Sequence, residues 1–301
     1  MHKPARLRRV QLAVPASSEK LIAKSAASAA DHVFLDLEDA VAPNAKDEAR
    51  ALVIAGLKSH NWGKKVRCVR INDLANPNCY RDIVEIVSLA GQHVDTLMVP
   101  KVKCASDIHF VATLLDQVER GANLVNRIGI EVIIEDVEAV ENAFSIAKAS
   151  DRVESLIFGI GDFSASMGID IKAALSGAFD GDIWHVPRYQ VVMAARAAGI
   201  DAIDGPTLDI KDTAAYLKDA QRGAIMGFTG KWAIHPLQIE PALQAFSPSS
   251  ASVGLSRRLL AAYTDAEAHG IGSMVFEGHM VDAAVARNHR LLVGRADAMG
   301  L

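Results

Sequence analysis

The sequence predicts an α/β protein that folds as a (β/α)₈ TIM barrel with a C-terminal helical lid. Half of the 301 residues are hydrophobic and only 5% are aromatic, so the core consists mainly of Ala, Val, Ile and Leu. Short apolar runs alternate with segments of helical periodicity, which is typical of parallel strands buried on both faces. Eight such pairs fill about 245 residues, and this fits a closed barrel better than an open sheet.

The predicted strands recur along the first 245 residues, and each except the last is followed by a clear helical pattern. They are expected at 10–15, 32–39, 65–72, 96–102, 128–135, a sixth run that ends at Asp162, 201–206 and 230–236. The helices are expected at 17–30, 46–59, 80–90, 106–120, 136–150, 186–198 and 210–223. A doubly wound open sheet is the alternative. It would need a glycine-rich phosphate turn, and GIGDFSASMG lacks the third glycine.

Residues 1–245 are therefore expected to form the catalytic barrel, and residues 246–301 a separate C-terminal segment. The stretch 246–254, FSPSSASVG, has the composition of a linker, and helical patterns follow at 255–269 and 280–298. Because the barrel is complete before this tail, we expect the tail to cover the C-terminal face of its own or a neighbouring barrel. A plain dimerisation arm is equally compatible with the pattern.

Composition excludes several classes of partner. The net charge of −4 provides no broad basic surface, so nucleic acid is not expected as a partner. No apolar run is long enough to cross a membrane, and the N-terminal run of about five residues is too short for a signal peptide. Cys68, Cys79 and Cys104 are too scattered for a disulfide framework or a zinc site, which indicates reduced thiols in a cytoplasmic protein.

Two carboxylates, Glu135 and Asp162, follow the fifth and sixth predicted strands. Neighbouring parallel strands end at the same edge of a sheet, about 5 Å apart, so these side chains are expected to meet. Two negative charges at that separation repel unless a cation lies between them. Mg²⁺ needs only one or two protein carboxylates and takes its other oxygens from water and substrate. The alternative is that each carboxylate only caps the helix after its strand.

Other polar residues share the predicted strand ends, which form the active-site face of such barrels. Arg70 can stabilise a developing oxyanion, or it can form an ion pair with Glu38 or Asp39. Lys101 is chemically capable of a Schiff base, but the surrounding carboxylates favour a charge-pairing role. His235 can bind metal or carry protons, although a histidine before proline at a strand end is more often structural. The predicted rim comprises Asp36, Glu38, Asp39, Arg70, Lys101, Glu135, Asp162, Asp204 and His235.

Seven motifs occur in the order found in one enzyme family: LDLEDAVAP at 35–43, VRIN at 69–72, PKV at 100–102, EVIIE at 131–135, GDFSASMG at 161–168, AIDGP at 202–206 and GKWAIHP at 230–236. In these motifs the chain resembles the citrate lyase β-subunit-like (HpcH/HpaI) aldolases. The branch it resembles most is the L-malyl-CoA/β-methylmalyl-CoA lyases.

This resemblance implies a Mg²⁺-dependent lyase, with Mn²⁺ as a possible substitute, that works as a homotrimer or homohexamer. The implied reaction is the reversible cleavage of L-malyl-CoA, β-methylmalyl-CoA or citramalyl-CoA to glyoxylate or another 2-oxo acid and an acyl-CoA. By the same resemblance, Glu135 and Asp162 hold the metal and Arg70 stabilises the oxyanion. Asp282 reaches the site of an adjacent subunit as acid or base; its pattern alone indicates only a residue in the first turn of a helix.

One departure from the family concerns coenzyme A. Family members carry a glycine and an arginine in the turn after the first strand, whereas this chain has VPASSEK. Lys20 and Lys24 remain as candidate phosphate contacts, and Trp232 and Pro206 are expected to shape the substrate pocket or simply to belong to the core. Three alternative activities stay open: a malyl-CoA thioesterase, a citrate lyase β subunit acting on a carrier-protein thioester, and a CoA-independent 2-oxo acid aldolase.

Overall fold

The computed structural model describes residues 6–176 and 181–301. The chain divides into two compact units, with the boundary between Phe246 and Ser247. Among the described residues, no helix combines the length and apolar character needed to cross a bilayer.

In the first unit, eight parallel strands pair in sequence order and close into a barrel where the first strand meets the last. The predicted (β/α)₈ architecture is therefore confirmed. The strands are β1 (Val10–Pro15), β2 (His32–Asp36), β3 (Val66–Arg70), β4 (Thr96–Val99), β5 (Gly129–Ile134), β6 (Val153–Phe158), β7 (Asp201–Asp204) and β8 (Gly230–Ala233).

Helices follow every strand of the barrel, including the eighth, for which the sequence pattern was not clear. They are α1 (Glu19–Ala26), α2 (Lys46–Ser59), α3 (Asn78–Ala90), α4 (Ala105–Gly121), α5 (Val137–Glu141), α6 (Ala143–Ala147), α7 (Ile160–Ser166), α8 (Ile171–Leu175), α9 (His185–Ala197), α10 (Thr213–Met226) and α11 (Ile239–Phe246). Residues 136–150, predicted as one helix, form the two short helices α5 and α6, which meet at Asn142.

Alternate residues of each strand point into the barrel, as the pleat requires. Their middle layer is apolar and takes one residue from every strand, so the interior is a packed core and not a pore. The layer consists of Ala13, Phe34, Cys68, Met98, Ile133, Ile157, Ile203 and Trp232. Polar inward residues lie below it, at the N-terminal ends of the strands, and above it, at the mouth.

Several strands end earlier than predicted, and local hydrogen bonds explain one such end. The carboxylate of Asp36 accepts hydrogen bonds from the backbone N–H of Glu38 at 2.8 Å and of Ala40 at 3.3 Å. These bonds fold the chain into a turn, so β2 stops at Asp36 although the apolar pattern continues to residue 39. The residues of LEDA therefore lie in a loop at the barrel mouth.

The second unit contains α12 (Ser250–Ala268), a hairpin of β9 (Ser273–Phe276) and β10 (His279–Asp282), and α13 (Ala283–Met299). The helix α12 begins inside the stretch predicted as a linker, because Ser249 caps its first turn. The linker prediction for 246–254 was therefore too long. The hairpin was not predicted. Its turn places Glu277 and Gly278 at positive φ, the conformation of a tight two-residue hairpin loop.

Candidate active site

Glu135 follows β5 and continues the inward-facing set of that strand, so its carboxylate lies at the mouth of the barrel. The side chain is only 4% exposed, and its Oε1 accepts a hydrogen bond from the backbone N–H of Lys101 at 2.7 Å. Burial raises the pKa of Glu135 to about 8, and the negative charges of Asp162 and Glu38 add to the rise. The carboxylate is held in place, but the hydrogen bond from Lys101 and the charge of Arg70 offset only part of the cost of burying its charge.

Asp162 lies in the first turn of α7 and is exposed to solvent. The sequence had indicated that Asp162 lies at the end of a strand. The strand β6 instead ends at Phe158, so Asp162 reaches the mouth from a helix. Its negative charge adds to the rise in the pKa of Glu135. That the two side chains meet at one edge of the barrel stays a prediction.

Gly159 allows the start of α7 to approach Glu135. A Cβ atom at position 159 would lie 2.4 Å from the Cβ of Glu135 and 2.7 Å from its Oε2. Only glycine avoids this clash, so the sequence GIGD permits the close approach of helix and carboxylate. Gly159 was not identified as a site residue from the sequence, where the glycines of GIGDFSASMG were compared only with a phosphate-binding pattern.

The helix-capping explanation of the two carboxylates does not fit. The first turn of α5 is capped by Asp136, whose side chain accepts from the N–H of Glu138 at 2.9 Å. Gly159 occupies the N-cap position of α7 and has no side chain to contribute. A buried carboxylate with a raised pKa beside a second carboxylate is the donor set that a hard divalent cation requires. The residues present therefore fit Mg²⁺.

Arg70, the last residue of β3, is buried at the mouth and bound to two carboxylates. Its Nε and one terminal nitrogen donate to the two oxygens of Asp36 at 2.7 and 2.6 Å, and the other terminal nitrogen lies 3.1 Å from Glu38. Burial opposes its charge, but Asp36 and Glu38 outweigh that effect and raise the pKa of Arg70. Its guanidinium also lies 5.6 Å from the ring of Trp232. Arg70 is a permanent cation in the described mouth.

Lys101 forms ion pairs with the acidic loop after β2. Its Nζ lies 2.6 Å from Glu38 and 3.3 Å from Asp39. Burial opposes the charge of Lys101, but these carboxylates raise its pKa. A permanently protonated amine cannot attack a carbonyl, so the geometry favours charge pairing over a Schiff base.

Three other candidate residues have different surroundings. Trp232 points inward and belongs to the apolar middle layer of the barrel, with its ring 4.6 Å from that of Phe34. Asp204 faces away from the barrel interior, where it pairs with Arg188 at 2.5 Å and Lys231 at 2.9 Å, so it does not belong to the mouth. His235 accepts a hydrogen bond from the N–H of Leu237 at 3.2 Å and caps a short helical turn, which agrees with the structural interpretation.

A cavity of about 780 Å³ lies between β1, α1 and residues 234–240, and its walls are mostly apolar. Lys24 lines this cavity, whereas Lys20, which is exposed on the same helix, does not. Ser18, which stands in the turn that differs from the family, caps α1 through the N–H of Leu21. Of the two lysines, only Lys24 is thus placed to contact a molecule in the cavity. Pro206, in the loop after β7, is partly exposed.

Asp282 is the last residue of β10 in the C-terminal unit. Its Oδ1 accepts hydrogen bonds from the N–H groups of Ala284 at 3.0 Å and Val285 at 2.9 Å, so it caps α13. The sequence pattern alone had indicated a first-turn position, and the residue lies one position earlier. Its carboxylate therefore has a structural role within its own unit.

One mouth residue was missed by the sequence analysis. The Nζ of Lys46, in the first turn of α2, is buried and donates to the backbone carbonyls of Leu37 at 2.7 Å and Glu38 at 2.6 Å. It holds the acidic loop against the barrel. The only available signal was a lysine at the start of a predicted helix, where a cation is unfavourable for the helix dipole.

Comparison with known proteins places this geometry in a family. Residues 9–236 match the HpcH/HpaI aldolase/citrate lyase family. An L-malyl-CoA/beta-methylmalyl-CoA lyase of Cereibacter sphaeroides is 39% identical over 306 residues, which cover 98% of this chain and 96% of the relative. A (3S)-malyl-CoA thioesterase of the same species is 32% identical, covering 96% of this chain and 94% of the relative.

Solved structures of similar proteins support the same family assignment. The protein CitE of Mycobacterium tuberculosis, in complex with magnesium, acetoacetate and coenzyme A, superposes with a TM-score of 0.76 and 28% identity. The match covers 96% of this chain and 97% of that protein. The chain belongs to the HpcH/HpaI aldolase/citrate lyase family.

Proposed function

We propose that this protein is a Mg²⁺-dependent CoA-ester lyase that cleaves and forms malyl-CoA-like compounds. The products of cleavage are glyoxylate, or another 2-oxo acid, and an acyl-CoA. One observation carries the proposal: Glu135 is a buried carboxylate at the barrel mouth, where burial and the charge of Asp162 raise its pKa and the buried cation Arg70 is also present. The names of the similar enzymes agree with this activity.

Glu135 and Asp162 are the residues that would hold the metal, with Mn²⁺ as a substitute for Mg²⁺. When bound, the metal supplies Lewis acidity, which stabilises negative charge on the oxygens of a 2-hydroxy or 2-oxo acid. Glu135 must give up its proton to take part. The hydrogen bond from Lys101 to Oε1 favours the ionised carboxylate.

The remaining side chains have roles that follow from the reaction. In cleavage a base takes the proton of the substrate hydroxyl, and the carbon–oxygen bond becomes the carbonyl of the 2-oxo acid as the carbon–carbon bond breaks. The electron pair of the broken bond passes to the thioester as an enolate. Arg70 offsets the negative charge that develops, as a buried guanidinium does best where water is excluded. A proton then returns to the enolate carbon and gives the acyl-CoA. We assign this proton transfer to Asp282, supplied by an adjacent subunit.

The cavity beside α1 suits the coenzyme A portion of the substrate. Its volume of about 780 Å³ lies in the range of pockets that take ligands of this kind, and its apolar walls match a pantetheine arm. Lys24, in the last turn of α1, is available for a phosphate, and the exposed Lys20, one turn earlier on the same helix, assists from solvent. Trp232 and Pro206 shape the acyl pocket. The departure from the family in the turn after β1 therefore shifts phosphate binding towards Lys24.

The deciding experiment incubates the purified protein with glyoxylate, Mg²⁺ and either acetyl-CoA or propionyl-CoA. Thioester absorbance and product mass are then followed. We expect malyl-CoA or β-methylmalyl-CoA to form, with no product in EDTA. Absence of condensation with either acyl-CoA, and of cleavage of the corresponding malyl-CoA esters, would refute the proposal.

Hydrolysis of the same thioester is the second candidate, because a similar protein is named a (3S)-malyl-CoA thioesterase. In that case malyl-CoA would yield free CoA and intact malate, and no glyoxylate. The same assay distinguishes two further alternatives. A citrate lyase β subunit would act only on a carrier-protein thioester, and a CoA-independent aldolase would release pyruvate from a hydroxy-oxo acid.

We propose that the protein acts in the cytoplasm as a homotrimer or homohexamer, with small acyl-CoA and 2-oxo acid molecules as its partners. The assignment of Asp282 to a neighbouring site depends on that assembly. Light scattering after size-exclusion chromatography measures the oligomer directly. A monomer with full activity would contradict both the assembly and the role of Asp282.

A further inference from the structure

Lys101 has a backbone conformation that is unusual for its position in the site. Its φ is 51°, in the left-handed region that residues with a Cβ rarely adopt. Two other residues with a side chain, Asn123 and Glu277, have positive φ among the described residues, and both lie in exposed turns. A strained residue persists only where its surroundings hold it. Of these three residues with positive φ, Lys101 is the one that lies at the barrel mouth.

The conformation aims the backbone N–H of Lys101 at the metal carboxylate. The N–H donates to Oε1 of Glu135 at 2.7 Å, a short hydrogen bond to a buried acceptor. On the other side, the backbone at Gly159 leaves no room beyond Glu135, since a Cβ there would be 2.7 Å from Oε2. The carboxylate is therefore fixed between the two backbones.

The side chain of Lys101 is bound to the acidic loop after β2. Its Nζ lies 2.6 Å from Glu38, and Glu38 in turn lies 3.1 Å from Arg70. Lys46 anchors the same loop by donating to the carbonyl of Glu38 at 2.6 Å. An unbroken set of contacts thus runs from Arg70 through Glu38 and Lys101 to Glu135.

We propose that Lys101 is a positioning residue: its ammonium ties the strained backbone to Glu38 so that its N–H orients Glu135 for the divalent cation. The inference rests on the metal assignment of the proposed function. The link through Lys101 also makes the position of the Glu135 carboxylate depend on the acidic loop that binds Arg70. The metal ligand and the cation that stabilises the oxyanion are therefore positioned together.

The sign of one measurement separates this role from a simple charge effect. If Lys101 acted only as a nearby positive charge, its removal would reduce repulsion and tighten the binding of a cation. If it positions Glu135, removal loosens the carboxylate and weakens binding. Residues that orient metal ligands typically change metal affinity by about 10–100-fold when mutated.

The experiment titrates Mn²⁺ into the purified full-length protein and measures free Mn²⁺ by electron paramagnetic resonance. We expect the dissociation constant to rise at least about tenfold in Lys101→Ala and in Lys101→Met, which keeps the aliphatic stem. Lys101→Arg, which can still pair with Glu38, should restore binding to within about threefold of the unmutated protein. Thermal melting of each variant verifies that it is folded.

Lys103→Ala is the matched control. Lys103 lies two residues further along, is exposed, and its Nζ is 3.8 Å from Asp136 and Glu138, so it has a similar charge without a link to Glu135. Its Mn²⁺ affinity should stay unchanged. Tighter or unaltered binding in both Lys101→Ala and Lys101→Met would overturn the inference, as would an equal loss in Lys103→Ala.

Glu135→Gln distinguishes the failure of this inference from the failure of the proposed function. If Glu135→Gln loses Mn²⁺ while the Lys101 variants keep it, only the positioning role is wrong. If Glu135→Gln binds Mn²⁺ as the unmutated protein does, the metal assignment is wrong and the positioning role fails with it.

Discussion

Two glutamates on one strand show how neighbours decide the state of a buried carboxylate. Glu131 and Glu135 lie four positions apart on the inward face of β5 and its end, and both are buried. Glu131 lies at the floor of the barrel, where burial alone would raise its pKa. The charges of His32 and Arg8 outweigh burial and hold the pKa of Glu131 well below its usual range. At the mouth, burial dominates and raises the pKa of Glu135 to about 8.

At the floor of the barrel, both carboxylate oxygens of Glu131 have hydrogen-bond partners. Glu131 accepts hydrogen bonds from Arg8 at 3.1 Å, from Gln11 at 2.7 Å and from Thr96 at 3.0 Å, and it lies 2.9 Å from His32. The ligand atoms of His32, Cys68 and Glu131 lie within 4.8 Å of one another, but both oxygens of Glu131 are already bound by protein groups. This cluster is therefore structural. The mouth leaves its carboxylate open to an added cation.

The largest expected effect is on turnover at the mouth. Glu135→Ala and Asp162→Ala should each lower kcat by about 10³-fold or more, because the Lewis acid contributes several kcal/mol of charge stabilisation. Activity towards malyl-CoA and circular dichroism of the folded variants measure the effect. Full activity in either variant would contradict the metal assignment.

The second effect is on stability at the floor. Glu131→Ala should lower the free energy of unfolding by about 3–5 kcal/mol, because it leaves the buried charge of Arg8 with one partner fewer. Glu135→Gln should not destabilise the metal-free protein at pH 8, since it removes a charge that burial disfavours. Urea denaturation of the two variants compares floor with mouth. Equal destabilisation would remove the distinction between them.

A smaller effect is expected at Gln11, which joins Glu131 at the floor of the barrel to Trp232 in the apolar middle layer. Its Oε1 accepts a hydrogen bond from Nε1 of Trp232 at 2.8 Å, while its Nε2 donates to Glu131. Gln11→Ala should lower the free energy of unfolding by about 1–3 kcal/mol, because two buried polar groups lose their partner. Gln92→Ala, at an exposed glutamine, is the control and should change stability by less than about 0.5 kcal/mol. Urea denaturation measures both, and equal effects would contradict the assigned role.

The last effect is a dependence on pH. A glutamate side chain ordinarily has a pKa of 4.5, whereas burial raises the pKa of Glu135 to about 8 in the folded protein. Between these values the folded state binds more protons than the unfolded chain, so this group makes the free energy of unfolding fall as pH rises. The difference between the metal-free protein and Glu135→Gln should change by at most about 1.4 kcal/mol per pH unit. Denaturation in EDTA from pH 5 to 8 measures it. Parallel curves would contradict the raised pKa.

Much of the architecture could be predicted from local pattern. The strands β1 and β5 and the helices α2 and α3 lie within about two residues of their predicted bounds, because apolar periodicity reflects which face is buried. Strand ends were less accurate, since side chains such as that of Asp36 compete for backbone groups. The hairpin β9–β10 was missed because its strands are short and mostly exposed, so they carry little alternating pattern.

The sequence by itself determined the closed barrel and the placing of Arg70, Lys101 and Glu135 near its mouth, because strand order and strand ends follow from periodicity. Only the tertiary structure decided which charges are compensated. Arg8 meets Glu131 across 123 positions of sequence, and Asp204 turns out to pair with Lys231 outside the barrel. Such pairings depend on distances between strands that no local pattern encodes. They are the reason that one buried glutamate supports the fold and the other is open to a cation.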